Sequence, residues 1–290
     1  MQQLTRPFRA SEALTAGRVT RDGLHRRHVL VYPGVWVGRD VELTARLRAE
    51  AAWHWSRRQG VLTGLSASAV HGAKWIDAGE SAELVHTNRR TPAGLVVHAD
   101  TLLPGEVTRV AGMRLTTPQR TVFDLSRRLK GVAAVQRIDA LMNATQIKAE
   151  DVEPMIAAHP RVWGLGELRR TLPLVDGGAE SPYESLTRYL LVQRGFPKPE
   201  TQIVVLDEYG EIFAVLDMGW REYGVGVDFD GAHHWTDSRR RNWDVERYGY
   251  LPELGWIDIR VSAGILHNRV EWLYDRVGAA LISRGCPKTW

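Results

Sequence analysis

The sequence predicts an α/β chain, α+β overall, with a small helix-and-hairpin module at the start and a mixed sheet flanked by helices at the end. Three observations carry this. Short β-branched runs such as Val29-Leu30-Val31-Tyr32 and Ile212-Phe213-Ala214-Val215-Leu216 alternate with stretches of helical period. Turn and cap signals separate them, notably Pro33-Gly34, Thr117-Pro118 and Gly195-Phe196-Pro197. A chain of 290 residues is long enough for about two domains.

The first segment covers residues 1–60. Phe8 to Leu14 reads as a short helix closed by Ala16-Gly17, and Thr20 caps a second helix over Arg21 to Arg26. Val29–Tyr32 and Val35–Val37 flank Pro33-Gly34 as a hairpin. Helix, turn, helix, hairpin is the order of a winged helix-turn-helix, which places its second helix in a major groove and its hairpin against the backbone. Arg18, Arg21, Arg26 and Arg27 are then the candidate DNA-binding residues. The plainer alternative is a helical cap with a surface hairpin.

The middle segment covers residues 61–175. Leu62 to His71 reads as a small-residue helix with Gly72 past its end. Glu83–His86 and Leu95–His98 read as strands, and Thr117-Pro118 opens a helix with Val122, Leu125 and Leu129 on one face. His71, His86 and His98 are too scattered for a metal site and read as structural. Leu174 to Ala179 is the linker candidate.

The last segment covers residues 180–290. Ser181-Pro182-Tyr183-Glu184 starts a helix with Leu186, Tyr189 and Leu190 as its apolar stripe. Strands follow at Ile203–Leu206, Ile212–Asp217, Tyr223–Phe229 and Trp256–Val261, with helices around Arg240–Leu254 and Arg269–Ile282. This is a small α/β domain with helices on the faces of a mixed sheet.

Charge is uneven along the chain. Residues 1–60 hold eleven Arg against five Asp and Glu, a net +6, while residues 180–290 hold thirteen Lys and Arg against seventeen Asp and Glu, a net −4. A basic end suits phosphate attraction, and an acidic end that handles phosphodiesters needs metal ions. No stretch is long and apolar enough for a spanning helix, so no membrane partner is expected. One cysteine, Cys286, excludes an intrachain disulfide and a cysteine zinc cage. A cytoplasmic protein is the simplest expectation.

The chemistry-bearing pattern lies in the last segment. Asp217 ends one apolar strand, and Asp228 and Asp230 sit near the end of the next. Residues two apart on a strand share a face, so both can reach one site. Unpartnered carboxylates inside apolar strands are costly, and oxygen ligands suit Mg²⁺ or Mn²⁺. Asp217 and Asp228 are the expected ligands; the plainer alternative reads Asp217 and Asp230-Gly231 as turn residues. His233 and His234 are candidates for proton transfer, and Arg239, Arg240 and Arg241 for phosphate contact. Glu184 fits a capping box and equally a carboxylate pointing into the site.

With Ser181-Pro182-Tyr183-Glu184, Val215-Leu216-Asp217, Val227-Asp228-Phe229-Asp230-Gly231, His233-His234, Arg240 and Gly255-Trp256, the last 110 or so residues resemble the PD-(D/E)XK nuclease superfamily. Within it they are most similar to very-short-patch-repair-type endonucleases. The resemblance implies a helical Glu184, a metal-binding Asp217, a second acidic position at Asp228 and a histidine in place of the usual lysine. Asp230 stands where that lysine is expected.

Val19-Thr20-Arg21, Pro33-Gly34-Val35-Trp36, Leu65 to Gly72 and Leu115 to Leu125 resemble AbiEi-type antitoxins. That implies a DNA-binding winged helix used for repression and a cognate toxin or partner protein. Two expectations result. The chain is a Mg²⁺- or Mn²⁺-dependent DNA endonuclease (a hydrolase) guided by its N-terminal module. Alternatively, it is an antitoxin-like transcriptional regulator whose nuclease fold is inactive.

Overall fold

A computed structural model describes residues 4–231 and 249–290. The chain divides into two compact units, Met1–Pro173 and Leu174–Trp290. Both mix helices and sheets, in agreement with the α+β expectation.

The first unit opens with strand β1 (Phe8–Arg9), helix α1 (Ala10–Thr15), helix α2 (Arg21–Arg27) and the hairpin β2 (His28–Tyr32) and β3 (Val35–Gly38). Phe8 pairs with Trp36, so the chain is extended there and the first helix starts two residues later than its sequence suggests. The Thr20 hydroxyl accepts the Gly23 amide at 3.1 Å and caps α2 as expected. Phe8, Ala13, Val19 and Leu24 form a small core that fixes the two helices on the three-stranded sheet.

Helix α3 (Ala45–Trp55) follows, a helix the apolar periodicity does not reveal because its buried face is largely alanine. Next come β4 (Val61–Leu62), α4 (Gly64–His71), β5 (Ala82–Val85), β6 (Leu95–His98), β7 (Val107–Val110), β8 (Met113–Thr116), α5 (Pro118–Arg128) and α6 (Gly131–Thr145). Two short helices, α7 (Glu153–Ala158) and α8 (Leu165–Thr171), complete the unit. The five strands lie in the order β6-β5-β4-β8-β7. Gly72 terminates α4 at φ 99°, a conformation that glycine adopts without steric cost.

One apolar cluster crosses the boundary expected at about residue 60. Tyr32 and Val35 of the hairpin, Ala49, Ala51 and Ala52 of α3, and Leu62, Leu84 and Leu115 of the sheet belong to one apolar cluster. The Tyr32 hydroxyl donates to the Gly94 carbonyl at 2.8 Å. The hairpin is therefore anchored beside its turn, while Pro33 and Gly34 of the turn itself are exposed.

A second, polar core sits under α5. Arg120 is 1% exposed; its Nε donates to Asp124 at 3.1 Å and its Nη1 to the Thr101 carbonyl at 3.1 Å and to Glu106. Asp124 also accepts from Arg127 Nε at 3.0 Å and from the Thr63 hydroxyl at 3.0 Å. His159 Nε2 lies 2.5 Å from the other Glu106 oxygen. The guanidinium groups of Arg120 and Arg127 also lie 5.5 and 5.7 Å from the Phe123 ring centroid.

The second unit contains α9 (Pro182–Arg194), β9 (Glu200–Leu206), β10 (Ile212–Trp220), β11 (Val225–Phe229), β12 (Ile257–Val261), α10 (Ala263–Asn268) and α11 (Val270–Ser283). The sheet order is β12-β11-β10-β9, with β9, β10 and β11 antiparallel in turn and β12 parallel to β11. Gly226 has no side chain because Leu216 lies across it; an ideal Cβ there would sit 2.6 Å from Leu216 Cδ1. The linker candidate is tied down, since Leu174 accepts from Arg188 Nη1 at 2.5 Å and Val175 from Lys198 at 3.2 Å. The helix expected around Arg240 lies largely outside the described residues.

Asp124→Ala leaves Arg120 and Arg127 buried without their shared carboxylate. We expect a loss of about 3–5 kcal/mol in urea-denaturation stability. Arg170→Ala, which removes an exposed pair with Glu167, should change it by less than about 1 kcal/mol.

Candidate functional sites

Two sites emerge, one in each unit. In the second unit the carboxylates of Asp217 and Asp228 are locked by reciprocal bonds across neighbouring strands. The Asp217 amide donates to Asp228 Oδ1 at 2.7 Å, and the Phe229 amide donates to Asp217 Oδ2 at 2.7 Å. These bonds continue where the regular β10–β11 ladder stops, beyond the Met218–Val227 pair. The flanking residues of β10 also change partners at Asp217. Met218 and Trp220 pack in one core, and Ala214 and Leu216 in another. Gln202, between the Leu216–Ile203 and Met218–Thr201 pairs, has φ 51°. Strand β9 is thus irregular opposite Asp217.

Glu184 arrives from α9. The Ser181 hydroxyl accepts the Glu184 amide at 3.2 Å, and the Glu184 carboxylate accepts the Glu180 amide at 2.7 Å. This is the expected capping arrangement, shifted by one residue on the carboxylate side. Capping and proximity to the aspartates coexist: the Tyr183 ring stacks on Phe229 at 4.5 Å, bringing the start of α9 against the end of β11. The expected stripe of Leu186, Tyr189 and Leu190 is only half-buried. The more deeply buried face of α9 is polar, with Glu184, Ser185, Thr187 and Arg188, because it covers the carboxylates as well as the apolar core.

The electrostatics follow from this grouping. Burial, then the charges of Asp228 and Glu184, push the Asp217 carboxyl up to about 8. Burial likewise raises Glu184, and the nearby charges of Glu180 and Asp228 add to it. Both shifts favour the protonated form of Asp217 and Glu184. Among the described residues, no group of three or more His, Cys, Asp or Glu is placed to hold a metal ion. His233 and His234, and Arg239, Arg240 and Arg241, lie outside the described residues.

Asp230 is not drawn in with the others. Its amide donates to the Val261 carbonyl at 2.8 Å and its carboxylate pairs with Arg260 at 3.3 Å on the surface. Residue alternation put Asp228 and Asp230 together, but the parallel neighbour β12 offers Asp230 a cation of its own. Asp258, which sequence reasoning did not single out, adds to the negative field at Asp217. Its position inside the apolar run of β12 was the available signal.

In the first unit Arg18, Arg21, Arg26 and Arg27 are all exposed around α2. Leu24 anchors the helix inward, and His25 packs edge-on against Trp36 at 5.2 Å. Arg26 also pairs with Asp22 at 3.1 Å, an exposed contact of little energetic weight. Sequence reasoning missed Arg39, whose guanidinium donates to the carbonyls of His25 and Arg26 and closes the end of α2. His71 and His98 are structural, bonded to the Thr116 carbonyl and to Glu83 respectively, each at 2.8 Å.

The polar core of α5 lies inside a region with a recognised counterpart. Residues 60–173 match the family described as the AbiEi antitoxin C-terminal domain. The matched region starts at β4 and ends where the first unit ends, so Arg120, Asp124, Arg127 and Glu106 are internal to it. Two similar proteins are the uncharacterized proteins MT2308 and Rv2248 of Mycobacterium tuberculosis, strains CDC 1551 / Oshkosh and ATCC 25618 / H37Rv. Each is 26% identical over 264 residues, covering 87% of this chain and 94% of its own length. That span takes in parts of both units. No solved structure matches. Among the described residues no helix is long and apolar enough to cross a membrane.

The raised Asp217 carboxyl makes a pH prediction. Its folded value of about 8 exceeds the ordinary 3.8, so between these values the folded state holds a proton that the unfolded state releases. Stability should therefore fall as pH rises through that window. Asp217→Asn should keep the bond from Phe229, melt at a higher temperature than wild type at pH 8, and converge with it near pH 4. Thermal melts across pH 4–9 would show equal slopes for both proteins if Asp217 were an ordinary carboxylate.

Proposed function

We propose that the chain is an antitoxin-type, DNA-binding regulator. The observation that carries this reading is the AbiEi antitoxin C-terminal domain match at residues 60–173, immediately after an arginine-rich helix–turn–helix in the same compact unit. Helix α2 would read a major groove, with Arg21, Arg26 and Arg27 reaching bases or phosphates and Arg18 a flanking phosphate. With the hairpin anchored beside its turn, α2 carries most of the contact. A toxin is the partner that the family description implies.

Fluorescence anisotropy with duplexes from the DNA upstream of the coding sequence tests this. Wild type should bind one duplex selectively and with a steep salt dependence. Arg21→Ala and Arg26→Ala should weaken it, and an arginine that touches a phosphate should take about one unit of log–log salt slope with it when replaced. Unchanged binding in both variants would remove α2 from the interface.

A second reading is favoured by one specific observation, the crowding of Asp217, Asp228 and Glu184 in a four-stranded mixed sheet. Hard carboxylate oxygens are the donors that Mg²⁺ or Mn²⁺ takes, although these three do not by themselves form a metal-holding group. Asp217 and Asp228 would hold the ion together with donors outside this group, and it would supply Lewis-acid chemistry at a DNA phosphodiester. The chain's own part would be to bind the duplex and exclude competing cations. If so, Mn²⁺ raises the melting temperature of wild type but not of Asp217→Ala, and supercoiled plasmid is nicked only by wild type. A melting temperature indifferent to Mn²⁺ and absent nicking leave the regulator reading alone.

A further inference from the structure

The first unit contains a cavity that the DNA-binding reading of α2 does not use. It has a volume of about 380 Å³ and lies between the hairpin turn and the end of α3. Arg9, Ser11, Gly34, His54, Arg57 and Asn88 are among its lining residues, and none of those lining it is a carboxylate. Two arginines and a serine thus line a space whose lining includes no carboxylate.

The backbone at this cavity is held in an uncommon conformation. Arg57 and Arg58 follow α3 with φ 56° and 65°, consecutive left-handed residues that are not glycine. Such a conformation is unfavourable and persists only where surroundings enforce it. Here the Arg57 amide donates to the His54 carbonyl at 3.0 Å and the Arg58 amide to the Trp53 carbonyl at 2.9 Å. The Arg58 guanidinium then forks onto both oxygens of Glu12, at 2.8 and 2.5 Å. These bonds consume Arg58 and leave Arg57 presented. Among the described residues the Arg57 guanidinium has no carboxylate or hydrogen-bonded partner. His54 lines the same space, and its Nδ1 is buried without a hydrogen-bond partner. Burial and the Arg58 charge keep that imidazole neutral, near 4.

We propose that this cavity binds one phosphoryl group, with Arg57 as its principal cation and Arg9 and Ser11 as further donors. A planar guanidinium matches two phosphate oxygens at once. Arg9 shares its charge with Glu12 at 2.9 Å, so Arg57 supplies the unneutralised charge. The group can come from a duplex backbone, which would deepen the regulator reading and rests on it, or from a free phosphate, which would not.

The test uses the full chain and Arg57→Gly, with Arg57→Lys as a second variant. Glycine suits the left-handed backbone, so Arg57→Gly should melt at or above the wild-type temperature and any weakened binding is not misfolding. Calorimetry with inorganic phosphate and anisotropy with a duplex of arbitrary sequence are the two readouts. For a backbone phosphate, Arg57→Gly should lose about 5–10-fold in duplex affinity and about 0.9 in salt slope, with the slope retained in Arg57→Lys. For a free phosphate, saturable binding of inorganic phosphate disappears in Arg57→Gly while duplex binding stays. Wild-type phosphate and duplex binding both unchanged in Arg57→Gly, or no binding of either probe by wild type, overturns the proposal. Duplex binding abolished in Arg57→Gly but kept in Arg21→Ala and Arg26→Ala would uphold the cavity and reject α2 as the reader.

Discussion

A guanidinium cannot be deprotonated to escape burial, so wherever Arg120 sits the chain must bring anions and carbonyls to it. It does so from widely separated segments. Asp124 comes from the same helix, Glu106 and Thr101 from the loop before β7, and His159 from beyond α7. Thr63, at the start of α4, joins through Asp124. That hydroxyl would ordinarily cap α4; instead Glu83 takes the cap role by accepting the Leu65 amide at 2.8 Å. The placement of α4 against α5, and of both against the sheet, follows from these bonds. A buried ion network adds little net stability over an apolar core of equal volume. Its effect here is geometric, because a shifted register leaves a charge without a partner.

The two units treat buried charge in opposite ways. In the first, cations and carboxylates are interleaved. Burial works against the charged form of Asp100, yet Arg128 and Arg127 hold its carboxyl below the ordinary range. In the second, Asp217 and Asp228 satisfy each other's backbone amides but not each other's charge. In the first arrangement each carboxylate meets at least one arginine. In the second, burial and the neighbouring carboxylates favour the protonated form of Asp217.

The hairpin shows how packing redirects a familiar motif. Its strands and turn follow local rules, and α2 is capped as those rules require. Yet Tyr32 and Val35, beside the turn, are buried in the core shared with α3. Anchored there, the turn end forms one wall of the phosphoryl-group cavity, and α2 with its exposed arginines is left as the outward surface.

By itself the sequence determined what depends on nearby residues. The Thr20, Thr117 and Ser181 caps, the Gly72 stop, most strand positions and the basic and acidic ends are local signals, and the structure contains them. It also marked Asp217 and Asp228, because a carboxylate inside an apolar strand is anomalous at any register. Only tertiary structure decided the rest. Helix α3 was hidden by its alanine face. The Arg120 network joins Thr63 to His159, 96 positions apart, a separation no periodicity encodes. Asp230 was diverted to Arg260 by a parallel strand whose register is set by long-range pairing. Whether a charged side chain is a solvated residue, a structural partner or a ligand depends on which distant group arrives beside it, and that is a property of packing.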